Sequence, residues 1–120
     1  MNVFSEKRKQ YKVNYTVINI QPSKMEYMHI VFTLEHDLQS QIGVLLYKMD
    51  ANYFVINNRI NISTPIYKMD FMIHLINSIT RHFNTKIVSI EIQRYSNSKL
   101  NIRMSKSDKM YIVGKLDSKF

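Results

Sequence analysis

The chain has 120 residues, a net charge of +8 and no cysteine. That length is one domain, able to bury a core without staples, and the missing cysteine excludes disulfides, thiolate metal sites and a cysteine nucleophile. Apolar residues at 45% and charged residues at 22% are globular values rather than those of a disordered chain.

The segment 1–10 is polar and basic, reads as a flexible arm, and lacks the apolar core of a signal peptide. Runs such as Val44-Leu45-Leu46 are too short to cross a bilayer. The expectation is a soluble, cytoplasmic protein with no membrane partner. Sixteen isoleucines and eleven asparagines against one alanine match the bias of AT-rich genomes, including those of phages and mobile elements.

Tyr11, Val13, Tyr15 and Val17 alternate with Lys12, Asn14 and Thr16, the period of a strand with one buried face. Pro22-Ser23-Lys24 breaks it. Met28, Ile30, Phe32 and Leu34 then mark a second strand, with Tyr27, His29 and Thr33 on its polar side. Ile42 to Met49 is apolar on both faces and reads as a central strand. Tyr53 to Ile56 follows, then a turn at Asn57-Asn58, where asparagine tolerates left-handed dihedrals, and a short strand from Arg59 to Ile62.

Thr64-Pro65 reads as a helix start, with threonine as the cap and proline in the first turn. Met69, Met72, Ile73, Ile76, Ile79 and Phe83 recur at helical spacing behind it, opposite Asp70, His74, Asn77, Ser78 and Arg81. The spacing predicts a helix over about 65–83, stopped near Asn84. Val88, Ile90 and Ile92, then Leu100, Ile102 and Met104, then Met110 to Leu116 predict three closing strands in antiparallel hairpins. The fold class expected is therefore α+β, a mostly antiparallel sheet of six or seven strands with one amphipathic helix on one face. Its order is β-β-β-(β)-α-β-β-β within a single domain, 1–120.

No catalytic signature survives inspection, and the chain reads as a binding protein rather than an enzyme. With Gly43 and Gly114 as its glycines, neither a P-loop nor a GxGxxG turn can be written. Glu35 and Asp37 bracket a turn instead of forming a catalytic pair. His74 and His82 stand about 80° apart around the helix, where a metal pair favours i,i+4. No metal and no small-molecule cofactor is expected.

Charge is the feature above background. Residues 1–24 carry five basic groups and one acidic (+4), residues 25–85 four and five (−1), and residues 86–120 eight and three (+5). The candidate nucleic-acid-binding residues are Lys7, Arg8, Lys9 and Lys12 at one end and Lys99, Arg103, Lys106, Lys109 and Tyr111 at the other. Cations neutralise phosphate and ring faces stack bases, as a single-stranded nucleic-acid surface requires. The alternative is a protein-interaction module docking on an acidic partner surface, such as an inhibitor, adaptor or immunity-type protein of a phage or mobile element. Partner identity, strand order and oligomeric state are not encoded in any local pattern.

Overall fold

A computed structural model describes residues 12–42, 52–97 and 102–117, with the side chains of the last segment described over 107–116. Five strands form one mixed sheet: β1 (Lys12–Asn19), β2 (Tyr27–Leu34), β3 (Tyr53–Ile56), β4 (Arg59–Pro65) and β5 (Ile87–Ser96). Their spatial order is β1-β5-β2-β4-β3. β5 pairs in parallel with β1, and the β2–β5, β2–β4 and β3–β4 pairs are antiparallel. Helix α1 (Met69–His82) joins β4 to β5, and helix α2 (Ile102–Asp117) follows β5. β4 and β5 both oppose β2 and so run parallel to each other. The connection between them must cross over β2, and α1 is that crossover.

Burial follows the pleat. On β2 Met28, Ile30, Phe32 and Leu34 are sealed, as the alternation predicts, and Ile60, Ile62, Ile90 and Ile92 meet them from β4 and β5. α1 lays Met72, Ile73, Leu75, Ile76 and Ile79 on this face, and α2 adds Ile112 and Leu116 to the same cluster. Both helices therefore cover one side of the sheet.

The hairpin β3–β4 turns at Asn57, whose φ of 53° is the left-handed value expected of it, and Asn84, with φ 50°, ends α1 as expected. Pro65 stays extended (φ −60°, ψ 151°) as the last residue of β4, and Ile66–Lys68 form a 3-10 turn before α1. Thr64 does not cap the helix. Its hydroxyl donates to the Pro65 carbonyl instead, at 3.0 Å.

Several expectations are corrected. Among the described residues the sheet has five strands, not six or seven. The proposed central strand from Ile42 to Met49 begins in a helical turn over 39–42, where the Ile42 N–H reaches the Leu38 carbonyl at 2.9 Å; its remaining residues lie outside the described segments. The two closing strands are replaced by α2. β5 is flanked on both edges by β1 and β2, so no hairpin partner can add to it, and the following chain leaves the sheet as a helix. Among the described residues the order of strands and long helices becomes β-β-β-β-α-β-α. Finally, Val88 does not share a face with Ile90 and Ile92. The register slips between Thr33 and Leu34, opposite Ser89 and Ile87, so that Val88 bulges out half-exposed and Ile87 turns inward.

Candidate functional site

Because both helices lie on one side, the other face of the sheet is lined by the alternate residues of all five strands. Register places them in rows. One end row runs Ile18, Tyr95, Tyr27, Pro65 across β1, β5, β2 and β4. At the opposite end Lys12, Ser89, Thr33, Arg59 and Ile56 form a row that reaches β3. Between them lie mainly amides and hydroxyls, including Asn14, Thr16, Gln93, Asn61 and Ser63, with Glu91 as this face's carboxylate.

The rings on this face are positioned by the sheet. Tyr27 and Tyr95 are direct cross-strand partners and stack at 4.4 Å with planes 9° apart. His29, one step along β2, places its Nε2 3.3 Å from Asn61 Oδ1 and meets Phe54 edge-on at 6.4 Å. The Tyr95 hydroxyl donates to Gln93 Oε1 at 3.2 Å. Phe54 and Ile56 on β3 are 51% and 53% exposed. The face therefore offers ring surface, hydrogen-bonding groups and cations at Lys12 and Arg59, all fixed to rigid strands.

The residues singled out by charge fall in different places. Lys12 opens β1 on the face that the described helices leave uncovered, and is exposed. Lys7, Arg8, Lys9 and Lys99 lie outside the described residues. Arg103, Lys106, Lys109 and Tyr111 belong to α2, on the far side of the sheet from Lys12. Tyr111 donates its hydroxyl to Asp70 on α1, and Lys115 sits 5.4 Å from its ring centre. That hydrogen bond, with desolvation and the Asp70 charge behind it, holds the Tyr111 hydroxyl above its ordinary 10.0.

The polar side of α1 is correspondingly not a bare solvated face. Asp70, His74, Asn77 and Arg81 line a groove of about 350 Å³ against Tyr111 and Lys115. Asn77 Nδ2 donates to the Lys115 carbonyl at 3.3 Å. Cations near both helix C-termini complement the helix dipoles there.

Charge alone did not single out Arg94, which the structure makes central to how α2 docks. It points inward from β5, is 4% exposed, and lies between Glu26 Oε1 at 3.1 Å and Asp108 of α2. Burial raises the Asp108 carboxyl above its ordinary 3.8; the Arg94 charge and hydrogen bond oppose the shift, and the Glu26 charge adds to it. The signal was present in the alternation, since Arg94 occupies the next inward position after Ile90 and Ile92. Tyr27 was visible likewise as a ring on the polar side of β2.

Among the described residues no three histidine, aspartate or glutamate side chains come together as metal ligands, and no helix is long and apolar enough to cross a membrane. Comparison with protein-family models, curated proteins and solved structures returns no match.

Proposed function

We propose that this protein is a non-enzymatic binding module that takes single-stranded nucleic acid on the uncovered face of its sheet. The observation carrying this reading is the Tyr27–Tyr95 stack, set with His29 and Phe54 on a face of amides and hydroxyls that has cations at Lys12 and Arg59. Such a sheet face suits unpaired bases, whose faces stack on rings and whose edges meet amides. The +8 charge of the chain supplies the phosphate attraction. Of the charge-selected residues, Lys12 shares this face, and Lys7, Arg8 and Lys9 precede it by three to five positions.

Fluorescence anisotropy with single- and double-stranded oligonucleotides tests this. Binding is expected to favour single strands and to fall with salt, each neutralised phosphate adding about 0.7 to the log–log slope. Tyr27→Ala is expected to weaken binding by about 1–3 kcal/mol. Affinity for every oligonucleotide weaker than about 100 μM at physiological salt, no better than non-specific association, would refute the reading.

A second reading, a protein-interaction module, is favoured by one observation: large apolar side chains exposed on the helical layer, with Tyr67 at 80% and Met110 at 75%. A sharp protein band that survives nuclease in a pull-down, with no oligonucleotide binding, decides for it.

A further inference from the structure

Glu91 stands mid-strand on β5, exposed on the face that the described helices leave uncovered. Its cross-strand partners are Asn14 of β1 and Val31 of β2. Among the described residues no cation pairs with it, although Lys12 lies one row away on β1. An unneutralised carboxylate in the middle of a surface that attracts phosphate works against that attraction. Two residues along the same strand, Gln93 has the opposite character. Its Oε1 already accepts from the Tyr95 hydroxyl at 3.2 Å, and its NH2 remains to donate. β5 therefore sets an acceptor and a donor side by side, about 7 Å apart along the strand.

We propose, on the reading of this face as a single-strand surface, that Glu91 reads bases there and selects guanine. The Watson–Crick edge of guanine presents the O6 carbonyl and then two adjacent donors, N1–H and the N2 amine. The carboxylate has two oxygens for those two donors, and the bonds it accepts are charge-assisted. Gln93 completes the edge by donating its NH2 to O6. The other bases fit worse. Cytosine and adenine each place one amine beside a ring-nitrogen lone pair, and thymine and uracil flank one N–H with two carbonyls. Each of these sets an acceptor against the carboxylate. Tyr95 is four residues from Glu91, about 13 Å along β5, so the guanine is a neighbour of the base stacked on the tyrosines. A charge that weakens binding of every strand, and is offset where guanine meets it, produces selectivity by penalising the wrong bases.

Fluorescence anisotropy of the full chain tests this with an oligothymidylate carrying one central guanine. Hypoxanthine, cytosine, adenine and thymine at the same position are the comparisons. Wild type is expected to favour guanine over thymine about tenfold. Hypoxanthine, which lacks the N2 amine, should fall between them. Glu91→Gln conserves the size of an exposed side chain and should leave the far-UV circular dichroism unchanged. It should remove most of the guanine preference, while the all-thymine strand binds as well as to wild type or more tightly. Tyr27→Ala should weaken every strand alike and keep the preference. A wild type without guanine preference, or one that prefers cytosine, overturns the proposal. So does a Glu91→Gln chain that binds every strand more tightly by the same factor, since Glu91 would then be a repulsive charge and nothing more. Those outcomes leave the sheet face as a nucleic-acid surface, whereas a chain that binds none of the strands refutes that reading and the role of Glu91 with it.

Discussion

Replacing Arg94 with alanine removes the cation between Glu26 and Asp108 and leaves two carboxylates facing each other in a nearly sealed space. The side chains are 5%, 22% and 17% exposed for Arg94, Glu26 and Asp108, so water can relieve little of the repulsion. Breaking a buried ion pair by deleting one partner costs about 3–5 kcal/mol, a large share of the 5–15 kcal/mol that holds a domain together. Asp108→Asn should behave differently. Burial, with the Glu26 charge beside it, disfavours the Asp108 charge by more than Arg94 favours it, and the amide keeps a neutral oxygen for the guanidinium, so its cost should stay below about 1.5 kcal/mol. Urea denaturation followed by circular dichroism, read as a change in midpoint at constant slope, measures both. Equal losses in the two variants, or an Arg94→Ala protein as stable as wild type, would refute the account of how α2 is held.

The same carboxyl sets a pH dependence. Its folded value is raised above 3.8. As pH climbs from 3.8 through the folded value, the folded chain holds a proton that the unfolded chain has released. Stability therefore falls across that interval and is level with respect to this group on either side. Wild type should lose stability relative to Asp108→Asn as pH rises through the window.

Ile76 is fully buried beneath α1, so Ile76→Ala should cost about 2–5 kcal/mol in urea denaturation through lost burial and the cavity left behind; a near-neutral result would mean the helix faces otherwise. Asn77→Ala, which loses one partly exposed hydrogen bond to α2, should cost less than about 1.5 kcal/mol in the same assay. Tyr111 should titrate above 10.0 because its hydroxyl serves Asp70; in NMR titration Asp70→Asn should bring it back down, and an unmoved Tyr111 would remove the bridge between helices.

What sequence revealed and what it hid follow one physical division. β1, β2 and the β3–β4 hairpin were legible because each buries one face, and a strand's period writes that burial directly into Val13 and Tyr15 or Met28, Ile30 and Phe32. Asn57 and Asn84 were legible because left-handed backbone selects asparagine. α2 was misread because Ile112 and Leu116 are four apart, a spacing shared by one helical turn and by two steps of a strand. The pairing of β1 with β5 is a tertiary choice between segments more than seventy residues apart, and no local pattern carries it. The Val88 bulge exists only relative to Leu34 on the neighbouring strand, so it too was hidden. The uncovered face shares this limit. Tyr27 and Tyr95 are each visible as outward rings, but that they stack is a fact of register.

Placing both helices on one side separates stability from binding in a way mutagenesis can exploit. Tyr27 is 37% exposed on the uncovered face, so Tyr27→Ala opens no cavity and loses chiefly the stack with Tyr95, worth about 0.5–1.5 kcal/mol to the fold. Even a domain at the low end of natural stability, near 5 kcal/mol, stays more than 99% folded after such a loss. A drop in oligonucleotide affinity of about 1–3 kcal/mol in Tyr27→Ala then cannot come from unfolding and must report a base no longer stacked. Asn77→Ala is the matched control, since it perturbs the fold by a similar amount from the opposite layer. It should bind as wild type does. Equal loss of binding in both variants would move the site from the sheet to the groove between the helices.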